Sequence, residues 1–116
     1  AGLYRRNTAM NILRTIKYAY QRAIRGYSDQ DVWNMDDYLA EIIPEMIKQL
    51  REESSGYPPQ LTAKKWEKIL IQIEEGFRAY QELREVAPFT KEYRRLQKKW
   101  VTGNKLFLKW YSSLWN

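Results

Sequence analysis

Apolar residues recur at helical spacing in four stretches, and Gly, Pro and Ser cluster in the gaps between them. The first stretch predicts a helix from Thr8 to Arg25, with Asn7 as N-cap and Gly26 as its C-terminal stop. At about 100° per residue, Ile12, Ile16, Ala19, Tyr20 and Ala23 share one face, which reads as core. A capped turn at Ser28-Asp29-Gln30-Asp31 leads into a second helix over about Asp36–Glu53. Its core side is read as Leu39, Ile42, Ile43, Met46 and Leu50, with Asp37, Glu41 and Glu45 pointing away. Pro44 lies inside this pattern and is expected to kink or split the helix, since it lacks an N–H and crowds the preceding turn.

Ser54–Gln60 is a loop by composition. Thr62 then caps a third helix from Ala63 to about Arg84, whose stripe Trp66, Ile69, Leu70, Ile73, Phe77 and Tyr80 is the cleanest in the chain. Ile71 is its exception, apolar on the outer face. Pro88-Phe89-Thr90 breaks the chain and caps a fourth helix from Lys91 towards Trp115. Tyr93, Leu96, Trp100, Phe107, Tyr111 and Leu114 form its inner stripe, and Gly103 allows a close approach. No alternating strand pattern competes. The expected architecture is all-α: an antiparallel four-helix bundle forming one domain over residues 1–116.

Charge changes this picture more than composition does. Residues 1–27 carry six Lys/Arg and no acid; residues 28–56 carry eight acids and two bases; residues 88–116 carry seven bases and Glu92 alone. The stretch between them balances at five and five, so the sorting survives within a net charge of +6. Sorted charge creates fields that select partners. In an up-and-down bundle the first and last helices are neighbours, and their outer faces would merge into one basic surface. The candidate partner-binding residues are Arg14, Lys17, Tyr18, Arg22 and Arg25 of the first helix, and Arg94, Arg95, Lys98, Lys105 and Lys109 of the fourth. Rows of cations neutralise phosphates, and a ring between them stacks on a base. A solvated helix face accounts for the same pattern, and no named nucleic-acid motif accompanies it.

With no Cys and no His, the usual zinc sites, thiol nucleophiles, imidazole-based triads and disulfides are all excluded. The acids Asp29, Asp31, Asp36, Asp37, Glu41 and Glu45 are the remaining route to chemistry, through Mg²⁺. Helix capping explains them equally, and paired E-x-x-E elements are missing, so neither metal, cofactor nor catalytic residue is assigned. The aromatic C-terminal run through Lys109, Trp110 and Trp115 fits a membrane surface, but core packing explains it as well, and no membrane partner is expected. No apolar run has the length of a membrane span and no secretory leader is read, so a cytoplasmic protein is expected.

Two stretches, GYSDQDVWNMDDYLAEIIPEMIKQL and GYPPQLTAKKWEKILIQIEEGF, carry a resemblance. At Gly26, Ser28, Asp29, Asp31, Trp33, Asp36, Tyr38, Leu39 and Ala40, then Gly56, Tyr57, Pro58, Thr62, Trp66, Ile69, Leu70, Gly76 and Phe77, the chain is similar to small helical proteins encoded by bacteriophages and prophages. The match covers about residues 18–80, leaving the basic N-terminus and the fourth helix outside. That family has no assigned activity, so no functional residue is carried over. The resemblance implies phage origin and action in a bacterial host cytoplasm. The expected function is a non-catalytic accessory protein that binds an anionic partner (a host immune complex, nucleic acid or nucleotide signal) and interferes with a host process or defence. Rival expectations are a nucleic-acid-binding regulator or packaging factor, and a Mg²⁺-dependent nucleotide hydrolase. Opposed acidic and basic surfaces, surplus rings and outward Ile71 further predict a homo-oligomer.

Overall fold

The structure is a computed structural model; it describes the backbone of residues 2–116 and the side chains of residues 10–116. The protein is all-α, and no strand occurs among the described residues. Five α-helices follow one another among these residues: α1 (Gly2–Arg25), α2 (Asp29–Trp33), α3 (Met35–Glu53), α4 (Ala63–Glu82) and α5 (Lys91–Lys109). Single 3₁₀ turns follow α4 at Leu83–Glu85 and α5 at Tyr111–Ser113. The chain clusters into two compact units, residues 1–38 and 39–116.

Local signals set most helix ends. Thr62 and Thr90 adopt extended backbone and accept the N–H of Lys65 and Tyr93, as N-caps do. Gly26 closes α1 at φ 87°, in the left-handed region that favours glycine, and its N–H donates to the Arg22 carbonyl at 2.9 Å. Three boundaries differ from expectation. Helix α1 already begins at Gly2, upstream of Asn7, whose side chain, like those of Arg5 and Arg6, lies outside the described residues. The capped turn at Ser28 opens a short helix of its own, α2. The last helix stops at Lys109 instead of running on towards Trp115, because the Trp110 backbone leaves helical geometry.

In the second unit α3, α4 and α5 bury a core of Ala40, Ile47, Trp66, Leu70, Ile73 and Phe77. The stripe read on α4 is the one buried, with Ile73 fully enclosed. Ring pairs Trp66–Trp110 at 5.8 Å and Phe77–Trp100 at 5.1 Å show that α4 and α5 run antiparallel. The two helices cross at Gly76 and Gly103: a Cβ built on either would lie 2.7 Å from the other's Cα. Helix α3 runs antiparallel to α4, as the ion pairs Glu45–Arg78 (3.0 Å) and Arg51–Glu74 (3.2 Å) require. Glu74 is buried and is held by both Arg51 and Arg78, which offsets the cost of taking its charge out of water.

Several expected features need correction. On α3 the packed side is Ala40, Pro44 and Ile47, rotated from the expected stripe, so that Leu39 and Met46 are exposed. Pro44 does not split the helix. It is buried, and α3 continues through it. Ile71, expected on the outer face, is half-buried. In the first unit the apolar stripe of α1 read as core is exposed in full: Ile12, Ala19 and Ala23 are open, Ile16 is 59% exposed and Tyr20 66%.

Candidate anion-binding surface

The basic residues of α1 meet the acids of the turn that follows. Ser28 and Asp31 form a reciprocal capping box: the Asp31 N–H donates to Ser28 Oγ at 3.2 Å, and the Ser28 N–H donates to Asp31 Oδ2 at 2.7 Å. This fixes the Asp31 carboxylate where Arg22 grips it with two nitrogens, Nε at 2.8 Å and Nη2 at 2.5 Å. The Arg22 hydrogen bonds, aided by the Ser28 backbone and hydroxyl, hold the Asp31 carboxyl well below the usual carboxylate range against the opposing effect of burial. Asp29 accepts from Gln21 Nε2 at 2.9 Å and from Arg25 Nη2 at 2.6 Å, and its pKa is lowered first by Gln21 and then by Arg25. Lys17 Nζ stands 4.0 Å from the same carboxylate.

The rings join this clasp. Tyr18 meets Trp33 edge-on at 6.3 Å, Arg22 lies over the Tyr38 ring at 5.1 Å, and the Tyr38 hydroxyl donates to the Gly26 carbonyl. Of the α1 residues assigned to partner binding, Lys17, Tyr18, Arg22 and Arg25 are therefore engaged within their own unit. Arg14 is exposed and has no carboxylate partner among the described residues. The spacing of bases along α1 is legible in the sequence, but not the pairing of Lys17, Arg22 and Arg25 with acids four to twelve residues beyond them.

On α5 the outcome is different. Arg94, Lys98, Lys105 and Lys109 are exposed, recur on one helix face, and have no carboxylate partner among the described residues. Four cations then follow one another over about 22 Å at 1.5 Å per residue. Arg95 is the member of the set that is held, by Glu92 at 2.6 and 3.1 Å. Beside it a groove of about 300 Å³ is lined by Arg95, Lys98 and Lys99 of α5 and by Gln72 and Glu75 of α4. The α5 set and the α1 set belong to different units.

Sequence periodicity misses Lys99, because it lies off the outer stripe and is recruited by the neighbouring helix. It also misses Phe89 as a surface feature. Phe89 precedes α5 with φ 67° and is 87% exposed, an aromatic residue held in a conformation that usually favours glycine. The acids do not assemble a metal centre among the described residues, where no three carboxylates converge. Asp29 and Asp31 face α1, and Glu45 reaches Arg78. No described helix is long and apolar enough to cross a membrane. Compared with protein-family models, with curated proteins and with solved structures, the chain gives no significant match.

Proposed function

We propose that the protein is a non-catalytic binding module whose working surface is the basic face of α5. The observation that carries this reading is the contrast between the two cationic helices: of the four α1 bases whose side chains are described, three stand within 4.0 Å of a carboxylate, whereas Arg94, Lys98, Lys105 and Lys109 of α5 pair with none among the described residues. Cations already paired have little left to offer a ligand, while unpaired ones on one stripe sum their fields. A row about 22 Å long suits an extended polyanion, a nucleic acid or an acidic protein face, better than a single nucleotide. In an antiparallel four-helix bundle α1 would stand beside α5 and Arg14 would extend the row. The likeness of residues 18–80 to phage-encoded proteins supports a phage accessory role in the host cytoplasm, directed at a host complex or its nucleic acid. A DNA-binding regulator is the second reading, on the same four cations.

Fluorescence anisotropy with a labelled random DNA duplex tests the surface and separates these partners. The double variant Lys98→Glu with Lys105→Glu should lose at least tenfold in affinity, whereas Glu41→Lys with Glu52→Lys should not. Affinity should fall steeply from roughly 50 to 200 mM salt, as counterion release demands. No DNA binding, together with capture of an acidic host protein that the α5 variant abolishes, selects the host-complex reading. Binding that survives the α5 variant and fails in the acidic one overturns both.

A further inference from the structure

The turn that leads into α5 holds an aromatic ring where local chemistry disfavours one. Pro88 and Phe89 are its two turn residues, Pro followed by a positive φ. That second position usually takes Gly or Asn, because a side chain crowds the backbone at φ 67°. The turn is tied on its C-terminal side: the Thr90 hydroxyl donates to the Ala87 carbonyl at 2.8 Å and accepts the Tyr93 N–H at 3.1 Å. Phe89 is 87% exposed, more than any other large apolar residue among those described, and it enters no ring pair there. The residue before an N-cap often packs on the fourth helical residue. Here that residue is the exposed Arg94, and the ring stays open. Strain and exposure at one ring point to a ligand that uses it.

Cations adjoin the ring. Lys91, the first residue of α5, lies two positions beyond Phe89, so their Cα atoms are at most about 7 Å apart. At about 100° per residue, Lys91 shares the face of Arg94, Lys98, Lys105 and Lys109. All five are exposed and have no carboxylate partner among the described residues. The basic row therefore begins at the turn and leads away from the ring. Lys98 also lines the groove between α5 and α4, where Arg95 and Lys99 outnumber the single acid, Glu75.

Phosphates satisfy the row but not the ring. In a duplex each base is covered by its neighbours, so an aromatic side chain finds a platform only on an unstacked base. An acidic protein segment supplies carboxylates for the row and nothing that requires the ring. A charged track beside a stacking ring is the combination that single strands use. We infer that the polyanion taken by this face is a single-stranded nucleic acid, its phosphates along Lys91, Arg94, Lys98 and Lys105 and one base stacked on Phe89. The inference rests on the basic-face reading proposed above, and adds to it the state of the strand and the residue that senses it.

Fluorescence anisotropy at low salt tests this with three labelled probes of equal length: oligothymidylate, an abasic oligomer with the same phosphates, and a DNA duplex. The full chain should bind oligothymidylate at least about fivefold more tightly than the abasic strand, as one base stacked on a ring predicts, and more tightly than the duplex. Phe89→Ala should erase the preference for bases while leaving abasic affinity unchanged, and Phe89→Tyr should keep it. Phe89→Gly should also erase it, with a thermal midpoint equal to or above that of the parent, because Gly accepts the positive φ freely. A lower midpoint in Phe89→Gly would show that the ring serves the fold, and overturns the inference. Equal affinity for the two single strands, tighter binding of the duplex, or a preference that survives Phe89→Ala overturns it as well. If bases add nothing but Lys98→Glu with Lys105→Glu still abolishes abasic binding, the basic-face reading stands and this inference alone falls. If no probe binds, this inference falls, and the basic face is judged by the capture of an acidic protein described above.

Discussion

In the second unit the covered side of each helix is apolar and most charges face water, with Glu74 as a paired exception. In the first unit the side of α1 that meets the Asp29–Asp31 turn carries Gln21, Arg22 and Arg25, while Ile12, Ile16 and Tyr20 stand open. One unit is organised by removing hydrocarbon from water and the other by a carboxylate–guanidinium clasp on a capped turn. The first kind of organisation barely responds to pH or salt, whereas the second depends on both. The same comparison explains why the two basic helices differ as ligand surfaces: Lys17, Arg22 and Arg25 of α1 are engaged within their own unit, and α5, inserted by its apolar stripe, leaves Arg94, Lys98, Lys105 and Lys109 outside.

The contrast is most sharply tested at matched apolar positions. Phe77→Ala removes a buried ring packed on Trp100 and Phe107, and should cost about 3–5 kcal/mol in urea denaturation. Ile16→Ala should change stability by less than about 0.5 kcal/mol, as an exposed site does. Equal losses at the two positions would erase the distinction between the units.

A smaller effect is expected where backbones meet. Gly76→Ala sets its Cβ 2.7 Å from Gly103 Cα, and only a shift of the whole α4–α5 crossing relieves that overlap. Overpacking of this kind should lower stability by roughly 1–3 kcal/mol, read as a fall in thermal midpoint without loss of helix content. A neutral Gly76→Ala would mean that the crossing is looser than its geometry indicates.

The clasp should give the smallest and most condition-dependent effect. Ser28→Ala deletes the cap of α2 and should cost about 1 kcal/mol, measured by hydrogen exchange of the α2 amides. Because the folded-state pKa of Asp31 is depressed, its stabilisation is fully present above the ordinary carboxylate pKa of about 4 and is lost progressively as pH falls below it. Exchange protection of α2 should therefore decline on acidification while that of α4 persists, and Asp31→Asn should remove the pH dependence. Protection of α2 that is flat from neutral pH down to the acid limit would show that the ion pairs do not hold this turn.

Much of the architecture is legible in the order of residues along the chain. Thr62 and Thr90 each announce a helix start, and Ser28 with Asp31 a capped turn, because a short side-chain oxygen satisfies amides that a first turn leaves unpaired. The stripe of Trp66, Leu70, Ile73 and Phe77 identifies the buried face of α4, and Gly103 the point of close approach. The basic stripe of α5 is equally readable, since it needs only the period of the helix.

What the tertiary structure decided is which faces meet. Periodicity states that Ile12, Ile16 and Tyr20 lie together, and says the same of Leu39, Ile43 and Met46, but it does not state what covers either stripe. On α3 the small Ala40 and the N–H-free Pro44 mark the side where a neighbouring helix packs, a signal weaker than the larger residues beside them. Nor does the order of charges reveal their pairing. Arg22 finds Asp31 nine residues later and Arg51 finds Glu74 twenty-three residues later, because the fold brings those carboxylates within hydrogen-bonding distance. Helices and their faces follow from local chemistry along the chain; burial and charge pairing follow from contacts between distant segments, and those set which cations stay free for a partner.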